Sequence, residues 1–255
     1  MKTPLYWLIR CLSTLIGFKM SHSNHVDSDG NAIPSVSQIP GQFAHDLSGF
    51  ESFICKGLHG KEGPCCVKAR NDYYQESANL GRDIHELMEA FLKGKPFTES
   101  VPEYQAAVFD PVARFYKDSG YRPLFMEEKM TGKEFGGTLD TAGTFSIPFW
   151  EKQRKTFWDD TGRDINGALP LPRDTDVWIV DLKIKSKIDP LHGLQLYGYS
   201  LLLEETKGIN TRWGLIIRRE KKLDKRPEIQ LKAYYLPAYA ETWKAAMLCW
   251  KFLNQ

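Results

Sequence analysis

Cysteine is scarce in this chain and poorly arranged for structural use. There are five in 255 residues, at positions 11, 55, 65, 66 and 249. An odd count with one vicinal pair, Cys65 and Cys66, suits neither a disulfide framework nor a CxxC zinc ribbon, so a reducing, cytoplasmic setting is the default expectation. Net charge is almost as scarce, with 34 Lys and Arg against 32 Asp and Glu. That balance excludes both a globally basic nucleic-acid coat and an acidic disordered tail, so any contact with a polyanion must come from local patches. Long apolar runs are missing too. Leu5 to Phe18 is interrupted by Arg10, is too short to span a bilayer, and is followed by Lys19 and Met20 in place of a small-x-small cleavage site. It reads as an amphipathic or disordered leader, with Met20 as an alternative start, and no stable membrane partner is expected. There is no Gly-x-x-x-x-Gly-Lys-Ser/Thr loop, and Gly198-Tyr-Ser200 lacks the closing glycine of a nucleophile elbow, which sets aside ATP hydrolysis and serine-hydrolase chemistry.

What is present is enough apolar material, 42% of residues, for a sizeable core. Residues 1–33 read as leader and linker, Ser/Asn/Asp/Gly/Pro-rich towards their end, with His22 and His25 solvated. From Val36 to about Gly60 the pattern suggests short helices. Ile84, Leu87, Met88, Phe91 and Leu92 recur at helical spacing and predict a helix over 69–93, stopped by Gly94 and Pro96. Tyr104, Val108, Val112 and Phe115 predict a second over 102–117. The period then shortens to that of strands at 121–130, 134–144 and 177–183. A Pro/Asp/Gly/Trp-rich stretch, 146–175, is too long for a hairpin connection and reads as an insertion at the edge of a single domain spanning 34–255. A helix over 191–205, strands at 211–218 and 228–236, and a closing helix at 238–253 complete a mixed α/β layer with a sheet at its centre.

Chemistry concentrates in four short segments. In Trp178-Ile-Val-Asp181-Leu-Lys183, Asp181 and Lys183 are two apart on a strand and point to one face. By itself this pair is better explained by a plain ion pair. Phe135-Gly-Gly-Thr-Leu-Asp140 offers a second carboxylate on a strand whose glycines permit close approach. Two carboxylates on adjacent strands are what a hard divalent cation such as Mg²⁺ requires, and Lys183 beside them would orient the nucleophile or help deprotonate it, and offset charge on a phosphate. Gly81-Arg-Asp-Ile-His85 places an imidazole on the first long helix. Gln195-Leu-Tyr-Gly-Tyr199 sets an amide and a phenol one turn apart. His85-Glu-Leu-Met-Glu89 fails as a zinc peptidase motif because its second position is not His.

Taken in order, Gly-x-x-x-His, Gly-Gly-Thr-Leu-Asp, Ile-Val-Asp-Leu-Lys and Gln-x-x-x-Tyr resemble the PD-(D/E)XK nuclease superfamily, and within it the RecB-like exonuclease branch, which is also that of the mitochondrial genome maintenance exonuclease and of phage-type exonucleases. The likeness runs from about Pro34 to Leu236 and includes the opening Pro34-Ser-Val-Ser. It implies a restriction-endonuclease-like core, a central mixed β-sheet flanked by helices. It also implies Mg²⁺ or Mn²⁺ on Asp140 and Asp181, Lys183 as the catalytic lysine, His85 as a ligand or near-ligand, and Gln195 and Tyr199 bracing the site or touching nucleic acid. DNA is the implied partner, together with a recombination or single-strand-annealing protein, in host cytoplasm if the chain is phage-encoded. The acid that such chains often carry one strand earlier is matched by both Glu127 and Glu128, and neither is assigned. Only Cys249 lies late in the chain, so the iron–sulfur cluster of some relatives is expected to be absent. Lys185 and Lys187 are the expected phosphate contacts. The cluster Arg218, Arg219, Lys221, Lys222, Lys225 and Arg226 is open to a solvated hairpin or to phosphate contact. The rival to a metal-dependent deoxyribonuclease is a non-catalytic DNA-binding or assembly module that keeps the fold; it has no need of a complete Asp, Asp and Lys set.

Overall fold

Each change of period along the chain becomes a change of layer. The computed structural model describes residues 25–30, 32–41, 64–95, 101–146, 172–184, 188, 191–219 and 229–253. A minimal hairpin, β1 (His25–Val26) and β2 (Ala32–Ile33), and the single-turn α1 (Gln38–Gly41) precede two long helices, α2 (Pro64–Leu92) and α3 (Glu103–Asp118). Strands β3 (Arg122–Thr131), β4 (Gly136–Thr144) and β5 (Trp178–Ile184) follow, then helix α4 (His192–Lys207) and strands β6 (Trp213–Arg219) and β7 (Ile229–Tyr235). A 3-10 turn over Leu236–Tyr239 leads into α5 (Ala240–Leu253). The five longer strands form one mixed sheet in the order β3-β4-β5-β6-β7, antiparallel throughout except for the parallel pair β5 and β6. A parallel pair needs a crossover to return the chain to the same end, and α4 supplies it.

The sheet is covered on both faces. Trp178, Val180 and Leu182 of β5 share one cluster with Ile84 and Met88 of α2 and Val108 and Val112 of α3. Ile179, one residue out of phase, joins Leu196 and Leu202 of α4 and Trp243 of α5 on the other side. Burial on both faces is why the central strands read as unbroken apolar runs rather than alternating ones. Tyr104 departs from its expected helical face and stays exposed, while Val108, Val112 and Phe115 are buried as the spacing predicts. Among the described residues no helix is long and apolar enough to cross a membrane.

Two expectations are corrected by burial. His25, read as solvated, is buried against β4, where a Cβ on Gly136 would stand 2.6 Å from the His25 Cγ. Glycine is needed there because the hairpin that closes on the sheet brings an imidazole onto its backbone. Of the described part of the expected leader, His25 and Ile33 are buried, while Val26, Ser28, Asp29, Gly30 and Ala32 are exposed, and residues 1–24 lie outside the described residues. The second correction concerns the basic cluster. Arg219 is 1% exposed and Arg218 is buried as well. Pro111 lies inside α3, where it has no N–H for the Ala107 carbonyl four residues back. Arg219 reaches across from β6 and donates to that carbonyl from Nη2 at 3.4 Å, and to Val108 O from Nε at 3.3 Å. The guanidinium takes the place of the missing amide, which a buried carbonyl requires. Arg218 donates to Gln230. Neither arginine is a solvated hairpin residue, and Lys221, Lys222, Lys225 and Arg226 lie outside the described residues. So does 147–171, most of the expected insertion.

Candidate metal centre

The site forms where two strands part. β4 and β5 pair at Gly143 with Trp178, Ala142 with Ile179 and Thr141 with Val180. The next step would set Asp140 opposite Asp181, and there the ladder ends. Asp140 substitutes its side chain for the lost backbone acceptor, and its Oδ2 accepts the Leu182 N–H at 3.0 Å.

Neighbouring β3 is irregular at the same level. Phe125 and Met130 both pack on the α4 side of the sheet although they are five residues apart, and Leu139 and Ala142 of β4 do so although they are three apart. Regular strands send such pairs to opposite faces. The break in β3 falls on Glu127, which lies opposite Asp140 between the register pairs Met126–Thr141 and Glu128–Leu139. Its φ is 46°, and among the described residues it is the one non-glycine residue in the left-handed region. That conformation costs about 1–2 kcal/mol for a residue with a Cβ. The surface ion pair that the kink gives Glu128, with Lys207 of α4 at 2.5 Å, is worth roughly 0–1 kcal/mol and does not offset it.

His85 arrives from the opposite layer. Ile84 and Met88 anchor α2 on the sheet, and the residue between them in the helical turn faces the split. Its Nε2 lies 3.1 Å from the Leu182 carbonyl, which can only accept, so Nε2 carries the proton. Nδ1 then faces Asp140 Oδ2 at 3.5 Å and Glu127 Oε1 at 3.6 Å. His85, Glu127 and Asp140 each present a ligand atom, and these atoms all lie within 4.8 Å of one another. Asp181 lies next to Asp140, outside this group of three. It is 2% exposed, its Oδ1 accepts from Lys183 Nζ at 2.7 Å, and its Oδ2 is buried with no hydrogen-bond partner. An orphaned carboxylate oxygen in the core is costly unless something positive completes it.

The charges of the site shift one another's protonation. Burial disfavours the His85 imidazolium, but Asp140, Glu127 and Asp181 outweigh it and raise the pKa to about 9. Asp140 is pushed well above the ordinary carboxylate range, first by burial and then by Asp181. Asp181 is lowered: burial opposes this, but the Lys183 ammonium and a hydrogen bond from Asp140 prevail. The two facing acids are thus pushed in opposite directions. Lys183 is raised because Asp181 and Asp140 outweigh its own desolvation.

The remaining expected residues divide. The Tyr199 phenol is buried on α4, one turn from Gln195; burial, and then the field of Asp140 and Asp181, raises its pKa. Gly137 makes room for it, since a Cβ there would stand 2.7 Å from Tyr199 Cε1. Glu89, the acid of the rejected peptidase motif, pairs with Lys93 along the helix surface. Lys185 and Lys187 lie outside the described residues. Glu127 is the site residue that sequence reasoning left unresolved. Two adjacent glutamates on a strand carry no signal for which one faces the chemistry when the alternation itself breaks between them. No protein-family model matches this chain, and no curated protein matches it at a significant level.

Proposed function

We propose that this chain is a metal-dependent deoxyribonuclease of the PD-(D/E)XK type with a restriction-endonuclease-like core, an exonuclease that hydrolyses DNA phosphodiesters. The observation that carries the reading is the convergence, at one split between strands, of His85, Asp140, Asp181 and Lys183 from three separate segments of the chain, with a buried Asp181 oxygen left unpartnered. The donor set fits a divalent cation. Asp140 and Asp181 offer carboxylate oxygens, and His85, whose Nε2–H is committed to Leu182 O, offers Nδ1 in its neutral form. When bound, Mg²⁺ or Mn²⁺ supplies the charge that makes water nucleophilic at neutral pH and offsets charge gathering on the phosphate.

The protein's own groups do the rest. Lys183 is held as an ammonium by Asp181, so it acts as a fixed positive charge for the phosphate in flight rather than as a base. Asp181 fixes that ammonium in place, and Asp140 ties the site to β5 through the Leu182 amide. Gln195 and Tyr199 form a wall on the α4 side, placed to brace the acids. The test is cleavage of end-labelled single-stranded, blunt and nicked DNA with Mg²⁺ and with EDTA. Metal-dependent shortening from ends is the expected outcome; DNA retention with no cleavage under any metal would support the non-catalytic module instead.

A further inference from the structure

Where β4 and β5 part, each strand is left with a backbone edge that needs partners. On β5 the Leu182 N–H goes to Asp140 Oδ2, and the Leu182 carbonyl takes the His85 Nε2–H. On β4 the open edge lies at Gly136. The Gly132 N–H donates to Phe135 O at 3.0 Å and closes the turn between β3 and β4, so the adjoining pair, Thr131 and Gly136, exchanges no backbone hydrogen bonds. The N–H and C=O of Gly136 therefore face away from β3, towards the side of β5. Chain that precedes both long helices meets them there. The Gly136 N–H donates to Pro34 O at 2.9 Å and the Val36 N–H donates to Gly136 O at 2.7 Å, a parallel bridge centred on Ser35. A reciprocal cap fixes the segment, with Ser35 N–H donating to Gln38 Oε1 at 2.8 Å and Gln38 N–H to Ser35 Oγ at 3.3 Å. Val36 is buried between β4 and α4. A Cβ on Gly137 would stand 3.2 Å from its Cγ2 and 2.7 Å from Tyr199 Cε1, and a Cβ on Gly198 would stand 2.9 Å from its Cγ1.

We propose that Pro34–Val36 is a wedge that keeps β4 and β5 apart, and that Val36 is a positioning residue of the metal centre. This rests on the metal-centre reading above. The wedge satisfies backbone of β4 on the edge that faces β5, so the ladder stops at Thr141 and Val180, and the Asp140 side chain, not a β4 carbonyl, meets the Leu182 amide. The two methyls of Val36 fill the space that Gly137 and Gly198 leave open and set the spacing of β4 from α4 beside the Tyr199 ring. Asp140 lies further along the same strand, so a shift of β4 at Gly137 moves its carboxylate relative to His85 on the opposite layer.

The test is binding of Mn²⁺ to the whole chain stripped with EDTA, read by titration calorimetry and by loss of the free Mn²⁺ paramagnetic resonance signal, beside the melting temperature of the same preparations. Val36→Ala removes the two methyls and should weaken Mn²⁺ by about tenfold, as loss of support behind a ligand does, while the melting temperature falls. Val36→Thr keeps the shape of the side chain but buries a hydroxyl, so it should also melt lower yet bind Mn²⁺ as wild type does. The contrast separates the shape of the wedge from its contribution to stability. Wild-type Mn²⁺ affinity in folded Val36→Ala, or an equal loss of affinity in Val36→Thr, overturns the wedge and leaves the metal centre standing. A wild-type chain that does not bind Mn²⁺ overturns the metal centre itself, and this inference with it.

Discussion

On the metal-centre proposal Asp140 has two purposes that a pair of substitutions can separate. Its Oδ2 accepts the Leu182 N–H at 3.0 Å, and Leu182 is 1% exposed, so no solvent replaces that acceptor. Asp140→Ala leaves the amide unsatisfied, at a cost of about 1–3 kcal/mol. For a domain of this size each kcal/mol corresponds to about 2–4 °C, so the melting temperature should fall by roughly 2–12 °C. Asp140→Asn keeps an acceptor of the same shape for the Leu182 amide. It should melt close to wild type without metal. Neither variant should gain what wild type gains from saturating Mn²⁺, about 2.7 kcal/mol at a hundredfold excess over Kd. Scanning calorimetry of the three proteins, with EDTA and with Mn²⁺, reads both purposes in one experiment. An Asn variant as unstable as the Ala variant would show that the carboxyl matters for something other than the Leu182 amide. Full metal stabilisation of the Asn variant would remove Asp140 from the ligand set.

Lys183→Ala should cut DNA cleavage by orders of magnitude while the fold and much of the DNA affinity persist, as measured by turnover against a binding isotherm; wild-type turnover would leave Lys183 as a structural partner of Asp181. Arg219→Ala should destabilise by about 1–3 kcal/mol by orphaning the Ala107 carbonyl, and Pro111→Ala should rescue part of that loss by restoring an amide beneath it; a denaturation cycle showing strictly additive effects would refute the coupling. Tyr121 is buried and donates to or accepts from Thr141 at 2.9 Å, and burial holds its phenol above the ordinary range. The unfolded phenol ionises near 10 while the folded one does not, so its contribution is intact below about pH 10 and lost as pH rises beyond it. The melting temperature should therefore fall more steeply above pH 10 in wild type than in Tyr121→Phe.

Most of the architecture was legible in the sequence because burial on a regular element leaves a periodic trace. Ile84, Met88, Val108 and Val112 announced two helices on one face, and the unbroken run Trp178-Ile-Val announced a strand buried on both. The same regularity placed Asp181 and Lys183 together, since residues two apart on a strand share a face whatever the rest of the fold does. It also put His85 one position from the apolar stripe of α2. Other features depended on contacts between segments distant in sequence. That Arg219 is buried follows from Pro111, more than a hundred residues earlier, having no amide to give. That His25 is packed follows from Gly136 having no side chain. The choice of Glu127 over Glu128 depended on tertiary structure most of all. A pattern argument assumes that alternation continues, and here the strand departs from it at φ 46°, in a conformation with no marker in the residue type and held only by the layers on either side.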